Sequence, residues 1–184
     1  RSVISGFQTL KLGEAKYIIC GGQENMSLAP QIFNNKKREK ISEDSLTDSM
    51  INDGLIDAFN NYHMGITAEN VAEKWNITRN DQDIFAASSQ TKAQEAIKNN
   101  KFNEEIINDQ SSTDEHPRSG VTIETLSKLK PAFKENGTVT AGNSSGINDG
   151  AAAVLLMTRE EAEKKGLKPL AKIVTWATAG VDPA

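Results

Sequence analysis

Two stretches of this sequence are the most informative about its fold. They are Tyr62-His63-Met64-Gly65-Ile66-Thr67-Ala68-Glu69-Asn70 and Gly137-Thr138-Val139-Thr140-Ala141-Gly142-Asn143-Ser144-Ser145-Gly146-Ile147-Asn148-Asp149-Gly150-Ala151-Ala152-Ala153. In the first, a histidine directly precedes a predicted helix. In the second, the small residues from Gly142 to Gly146 predict a loop whose backbone a ligand can approach closely, because glycine has no side chain. An apolar run from Ala151 to Met157 then predicts a buried strand.

The overall charge limits the partners that the chain is expected to bind. The chain has 184 residues and a formal net charge of −4, and its pI is about 5.3. These values argue against a nucleic acid or an anionic membrane surface as a partner. A phosphorylated ligand would therefore need a local basic patch. Hydrophobic residues make up 37% of the sequence, which predicts a modest core that another segment or subunit completes.

Cysteine and histidine are scarce. The single cysteine excludes an internal disulfide and favours a reducing, cytoplasmic location. Two histidines and one cysteine, widely spaced, form no ligand cluster, so we expect no metal. No apolar run approaches the ~20 residues that span a bilayer. The first residues lack a signal-peptide pattern and a starting Met, and we interpret Arg1 as the start of a fragment.

Helix and strand signals alternate near both ends of the chain. An apolar stripe from Val3 to Leu12 predicts a helix, and the run Tyr17–Cys20 predicts a buried parallel strand. Beyond Met157 the sequence predicts a charged helix over 158–165 and a final strand over 172–178. This alternation is typical of an α/β layer.

The middle of the chain is polar and mostly helical. Thr67 is predicted to cap a helix that carries Val71, Ala72 and Trp75. Thr78 and Asp81 resemble a capping box at the start of a second helix. The predicted buried side of that helix consists of Ile84, Phe85, Ser88, Ala93, Ala96 and Ile97. The chain thus has the outline of a sheet domain that carries a long insertion.

Several ordered motifs resemble the thiolases, the family that joins or splits acyl groups on coenzyme A. The resemblance covers nearly the whole chain. It implies an α/β thiolase fold, with part of the N-terminal domain at 1–26, a coenzyme A-binding loop domain at 27–147, and a return to the N-terminal domain with the start of a linker at 148–184. The motifs are Cys20 to Ser27, the His63 segment, Gln82-Asp83, Ser89-Gln90, Arg118 with Gly120, the Ser145 segment and Trp176-Ala177.

The segment Tyr62 to Gly65 is similar to that of the acetoacetyl-CoA thiolases, the short-chain type. The resemblance implies an acyltransferase that reversibly condenses two acetyl-CoA molecules into acetoacetyl-CoA and coenzyme A. It needs no cofactor beyond coenzyme A as substrate or product. The stretches 114–118 and 145–149 resemble cytosolic and bacterial members, and the complete enzyme is expected to be a homodimer or a homotetramer.

The resemblance also implies which residues bind coenzyme A. His63 would contact the pantetheine arm, Met64 would line the acyl pocket, and Ser145 would hydrogen-bond the pantetheine amide. Arg118 would contact phosphate or adenine, since a guanidinium pairs with phosphate and stacks on a flat base. Simpler structural roles stay open, namely core packing for Met64, Phe133 and Ile147. The remaining groove residues would be Leu55, Thr125, Phe133, Ala141 and Ile147.

The residues that catalyse the carbon–carbon step are expected outside this chain. The nucleophilic Cys would precede Arg1, and the acid/base Cys, the His and the Asn would follow Ala184. Cys20 lies in a predicted strand rather than at a helix start, and we interpret it as a small buried hydrophobe.

The chain departs from the family pattern in two places. The stretch between Ile106 and Asp114 is shorter than is usual, which affects the edge of the adenine groove. Arg38 and Ser42 stand where tetrameric members tend to carry glycines in a hairpin, so this loop is not predicted to support a tetramer.

Three hypotheses follow from the sequence. The first is the central part of an acetoacetyl-CoA thiolase. The second is a short protein that binds coenzyme A or a thiolase subunit without catalysis. The third is an inert remnant with open sheet edges.

Overall fold

The computed structural model describes residues 1–33, 42, 45–107 and 114–184. The chain divides into two compact units, one of Arg1–Leu28 with Asn148–Asp182 and one of Ala29–Ile147 with the last two residues. We refer to them as unit 1 and unit 2. Arg38 lies outside the described residues, so the expectation about its loop stays a prediction. The roles that the sequence analysis gave to 1–26, 27–147 and 148–184 also stay predictions.

Unit 1 is built on an antiparallel strand pair. Strand β1 (Tyr17–Glu24) pairs with β4 (Gly150–Met157) in a register that sets Tyr17 opposite Met157 and Glu24 opposite Gly150. Helix α1 (Ser2–Lys11) packs on this pair. The prediction of a parallel strand ending at Cys20 was wrong, because the partner strand runs the opposite way and the pairing continues through Gly21 and Gly22.

Helix α1 lies close to β1 at a glycine. A Cβ atom on Gly6 would lie 2.3 Å from Cys20 Sγ, so only glycine allows this approach. Cys20 is 4% exposed, in agreement with its interpretation as a buried hydrophobe. Helix α5 (Arg159–Lys164) follows β4 and is capped by Thr158. The final strand predicted over 172–178 was wrong, since no strand among the described residues pairs with it.

Unit 2 contains the short antiparallel pair β2 (Gln31–Phe33) and β3 (Leu46–Asp48), followed by one π-helical turn at Ile51–Leu55. Three helices follow: α2 (Met64–Lys74), α3 (Arg79–Lys98) and α4 (Ile123–Ser127). Helices α3 and α4 pack together. The mostly helical character expected for this segment is therefore observed among the described residues.

Helix α2 begins earlier than predicted. His63 is its N-cap, because the His63 side chain accepts a hydrogen bond from the Gly65 N–H. Thr67 lies inside the helix, so the prediction that it caps the helix was wrong. The buried residues are Gly65, Glu69 and Ala72, which recur every three to four positions on one helical face.

Helix α3 starts with the predicted capping box between Thr78 and Asp81. Its buried face was predicted wrongly. Asp83 is 1% exposed, whereas Phe85 is 77% exposed and Ile84 is 46% exposed. The helix turns a carboxylate inward because partners for that carboxylate lie on α3 itself and on the loop that follows residue 140.

We predict that Thr78→Ala lowers the free energy of unfolding by about 1 kcal/mol, since the helix loses a side-chain cap. Urea unfolding measures this difference. Thr91→Ala is the matched control, because Thr91 lies within α3 and its hydroxyl donates to the Ala87 carbonyl, a bond that caps no helix end. Equal losses in the two variants would contradict a special role for the cap.

Candidate functional site

Every residue predicted to contact coenzyme A lies in unit 2. The set therefore belongs to one compact body. His63, Leu55 and Phe133 are half-buried, and Met64 is 36% exposed. The other predicted residues are exposed to solvent: Arg118, Thr125, Ala141, Ser145 and Ile147.

The structure brings His63 and Phe133 into direct contact. Their rings stack with centroids 4.8 Å apart and an interplanar angle of 19°. Gly65 makes this packing possible, because a Cβ atom there would lie 2.2 Å from Phe133 Cγ. Phe133 reaches this position from a chain segment that is bridged at Pro131 to Thr140.

Glu69 binds the loop that follows Phe133. Its carboxylate accepts hydrogen bonds from the Thr138 N–H at 2.8 and 2.9 Å, from the Thr138 hydroxyl at 2.9 Å and from the Val139 N–H at 2.8 Å. Glu69 is 4% exposed. The loop backbone thus satisfies a buried charge, and one turn of α2 separates this contact from the aromatic stack.

The pKa of Glu69 reflects this environment. Burial alone would raise the pKa, but the hydrogen bonds from Val139 and Thr138 outweigh burial, with help from the charge of Lys134. The net result is a pKa below the ordinary glutamate value. The folded state therefore favours the ionised carboxylate.

A second buried carboxylate holds the other end of the loop. Asp83 accepts from Arg79 Nε at 2.9 Å and from the Asn143 amide at 3.1 Å. The Asn143 amide also donates to the Thr138 carbonyl at 3.0 Å, and its oxygen accepts from the Thr140 N–H at 2.7 Å. This network fixes the base of the small-residue loop that carries Ala141 and Ser145.

Gly142 permits close packing within the same loop. A Cβ atom there would lie 2.5 Å from Leu129 Cδ1 and 2.6 Å from Leu126 Cδ2. Leu126 belongs to α4, and its carbonyl accepts from Arg79 Nη2 at 2.6 Å. The segment 138–143 has the composition of a strand, but it forms turns and a single bridge at Thr140 instead.

Arg118 lies in a separate groove of about 370 Å³ along α3. Its backbone N–H donates to Gln90 Oε1 at 3.0 Å, which ties the segment to the helix. No ion pair among the described residues involves its guanidinium. The groove is lined by Gln90, Thr91, Gln94, Glu95, Lys98, Arg118, Gly120 and Val121.

Thr125 has a local structural role. Its hydroxyl donates to the Thr122 carbonyl at 2.8 Å and accepts from the Thr122 N–H at 3.0 Å. Leu55 ends the π-helical turn. Among the described residues, the structure shows no contact of Thr125 or Leu55 with His63, Phe133 or Arg118. The ligand contacts predicted for Thr125 and Leu55 therefore stay predictions.

Sequence reasoning missed Gly65, Glu69, Asp83 and Asn143 as organisers of the site. One signal was available, since Gly65, Glu69 and Ala72 share one helical face and an inward glutamate requires donors. The donors come from residues 69 and 70 positions further along the chain, and periodicity cannot reveal them.

The described ranges contain neither a metal-binding cluster nor a membrane-spanning helix. No group of three or more His, Cys, Asp or Glu side chains there could hold a metal ion. No helix in the same ranges is long and apolar enough to cross a membrane.

Comparisons with known proteins agree with the fold described above. The family described as "Thiolase, N-terminal domain" matches residues 1–160. An acetyl-CoA acetyltransferase from Rhizobium meliloti is 52% identical over 100% of this chain and 49% of its own length. A rat protein named cytosolic acetyl-CoA acetyltransferase is 47% identical over 100% of this chain and 49% of its own length.

A solved structure gives the same result. The crystal structure of the Bacillus anthracis acetyl-CoA acetyltransferase superposes with a TM-score of 0.88 at 39% identity, and the match covers 99% of this chain and 48% of that one. The chain belongs to the thiolase family, and its α/β architecture is the thiolase fold. It spans about half the length of the curated relatives it matches.

We predict that Glu69→Gln lowers the free energy of unfolding by about 1–3 kcal/mol at pH 7, because buried N–H donors lose their charged acceptor. The pKa of Glu69 is lowered on folding, so its contribution is present above the ordinary glutamate pKa and is lost as the pH falls through the folded-state pKa. Parent and variant should therefore converge in acid, as urea unfolding at several pH values would measure.

Glu73→Gln is the matched control for this experiment. Glu73 lies one turn along α2, and its side chain is 76% exposed and 3.5 Å from Lys134. An exposed ion pair contributes little, so the stability of this variant should stay close to that of the parent. A Glu69→Gln loss that persists unchanged at low pH would contradict the role of the ionised carboxylate.

Proposed function

We propose that this chain supplies the coenzyme A-binding part of a thiolase that reversibly condenses two acetyl-CoA molecules into acetoacetyl-CoA and coenzyme A. The observation that carries the proposal is the match of the whole chain, at 52% identity, to an acetyl-CoA acetyltransferase. The geometry of unit 2 supports it, because one compact body carries a half-buried aromatic stack and the Arg118 guanidinium, which forms no ion pair with the described residues.

The two features suit different parts of coenzyme A. The pantetheine arm is uncharged, and the flat surface of His63 and Phe133 offers it apolar contact with a polar atom at the rim. The phosphate end is anionic, and Arg118 offers a planar guanidinium with parallel donors. The exposed loop with Ala141, Ser145 and Ile147 would cover the arm between them.

No residue of the carbon–carbon step is assigned to this chain in the proposal. Cys20 is a thiol, but it is buried between β1 and α1 with Gly6 against its sulfur. A nucleophilic thiolate needs access to the acyl group and a stabilising positive environment. The proposed enzyme therefore takes its nucleophilic Cys, acid/base Cys, His and Asn from other sequence.

The proposal extends to location and assembly. We propose a cytoplasmic homodimer or homotetramer that uses coenzyme A as substrate or product and needs no other cofactor. The rat relative is named as a cytosolic protein, which supports the location. Native mass spectrometry of the natural protein measures the assembly.

We predict that Arg118→Ala weakens coenzyme A binding by about 10–100-fold, because charge-assisted hydrogen bonds to phosphate are lost. Calorimetric titration with coenzyme A and with its analogue lacking the 3′-phosphate measures the loss. A larger loss for coenzyme A than for the analogue would place Arg118 at that phosphate.

Lys92→Ala is the control for charge alone. Lys92 is an exposed cation on α3 that does not line the Arg118 groove. The affinity of the Lys92→Ala variant for coenzyme A should stay within about twofold of the parent's affinity, because salt screens one distant surface charge. Unchanged binding by Arg118→Ala would show that the site assignment is wrong.

We predict that Cys20→Ser leaves thiolysis of acetoacetyl-CoA by coenzyme A measurable in the natural protein. The hydroxyl is close in size to the thiol, so the site stays filled, although burial of an extra polar group lowers stability. Complete loss of turnover in a folded variant would overturn the structural interpretation of Cys20. A parent that binds coenzyme A without thiolysis would instead be a non-catalytic binding protein.

A further inference from the structure

The sequence contains one Asn-Gly pair, Asn136-Gly137, which lies between Phe133 and the loop residues that Glu69 holds. Asn136 has a left-handed backbone with φ 57°, a conformation that glycine and asparagine adopt most readily. The Gly137 N–H donates to the Lys134 carbonyl at 3.0 Å and closes a four-residue turn. Asn136 is exposed, and no hydrogen bond among the described residues uses its side-chain amide.

The buried carboxylate of Glu69 requires the glycine of this pair. A Cβ atom on Gly137 would lie 2.3 Å from Glu69 Oε1 and 3.0 Å from the Lys134 carbonyl oxygen. The Glu69 side chain cannot shift without loss, because it accepts four hydrogen bonds from Thr138 and Val139. The approach that holds the loop therefore also fixes the residue that follows Asn136.

An asparagine followed by glycine can convert without an enzyme. The Gly137 backbone nitrogen loses its proton and attacks the Asn136 side-chain carbon Cγ, so that an N–Cγ bond forms, the Cγ–Nδ2 bond breaks and ammonia leaves. A solvent water then opens the cyclic imide at one of its two carbonyls. One product is aspartate, and the other is isoaspartate, in which the main chain runs through Cβ and Cγ.

The structure favours this reaction at Asn136. The glycine offers no side chain to obstruct the attack, and its peptide group can rotate more freely than that of other residues. The attack requires the bond from the Gly137 N–H to Lys134 to open. An exposed turn opens locally at a lower cost in free energy than a packed helix or strand does.

Other asparagines in the molecule provide internal controls. Asn76 and Asn100 are also exposed and left-handed, with φ 53° and 55°. They are followed by Ile77 and Lys101, whose side chains obstruct the attack. The Asn143 amide is instead held by hydrogen bonds to Asp83 and Thr138. Asn136 alone among these combines a free amide with a following glycine.

We propose that Asn136 is a site of spontaneous deamidation in the folded protein, and that isoaspartate at this position releases the loop from Glu69. The isoaspartate main chain contains one additional atom between Phe133 and Thr138. The Thr138 and Val139 N–H groups lie 2.8–2.9 Å from the carboxylate. Since hydrogen bonds weaken steeply with distance and angle, the longer chain cannot keep both groups in place.

The first test is peptide mapping by mass spectrometry of the natural full-length protein, after incubation in mildly alkaline buffer without denaturant. Deamidation is detected as the replacement of NH2 by OH, and isoaspartate is separated from aspartate by chromatography. We expect Asn136 to convert about tenfold faster than Asn76 and Asn100 or more, because no side chain obstructs the attack. Isoaspartate should be a product.

Asn136→Gly is the control variant, because it keeps a residue suited to the left-handed turn and removes the side-chain amide. The mass change should be absent from its peptide. Equal rates at Asn136, Asn76 and Asn100 in the parent would overturn the proposal. Conversion of Asn136 only in urea would overturn it as well, since the folded turn would then protect the amide.

The second test measures the release of the loop. Ion exchange separates the isoaspartate form, because deamidation adds a negative charge. We expect it to unfold at a lower urea concentration than Asn136→Asp, which has the same charge and a normal main chain. Equal midpoints would contradict the release. In a Glu69→Gln background the difference should shrink, because the two changes affect the same contact.

A further readout rests on the proposed coenzyme A-binding function. Release of the loop frees Phe133 from the His63 ring, so the isoaspartate form should bind coenzyme A about three- to tenfold more weakly than Asn136→Asp, a loss similar to that of one hydrogen bond. Equal affinities would contradict the link between loop and stack. A parent that does not bind coenzyme A would contradict the proposed function alone, because peptide mapping and urea unfolding use no ligand.

Discussion

The ionised carboxylate of Glu69 is the contact on which the site in unit 2 depends. It accepts hydrogen bonds from the Thr138 and Val139 backbone at 2.8–2.9 Å while almost fully buried. A buried charge is tolerated only when donors surround it. The segment after Phe133 must therefore stay against α2, and this position places the Phe133 ring beside His63. Both contacts use one helical face, one turn apart.

Asp83 plays a similar part for the next piece of the loop. Its bonds to Arg79 and Asn143 fix the base of the turn at 140–143. Gly142 lets that turn pack onto Leu126 and Leu129. The predicted ligand loop thus combines a buried polar base with an exposed rim of small side chains. A rigid base suits a binding loop, because little conformational entropy is lost when the ligand binds.

The sequence predicted the elements better than their contacts. The capping box at Thr78 was confirmed, because its residues are three positions apart and act locally. The buried face of α3 was predicted wrongly, because Asp83 turns inward to Asn143, which is 60 positions away. The inward position of Glu69 on α2 likewise depends on donors far along the chain. The prediction of a final strand over 172–178 was wrong for a related reason, because a strand forms only when a neighbouring strand pairs with it. The predicted ligand contacts came from the family resemblance. That resemblance does not reveal that His63 Nδ1 accepts a hydrogen bond from the Gly65 N–H.

The close approach of Gly65 and Phe133 also has an evolutionary meaning. A side chain larger than hydrogen at position 65 requires the volume that the Phe133 ring occupies, so the two positions cannot change independently. Among homologous chains, any replacement of this glycine should be accompanied by a smaller residue at the position of Phe133. The pair would then leave a joint record of substitution, although 67 intervening residues separate the two positions in the printed sequence.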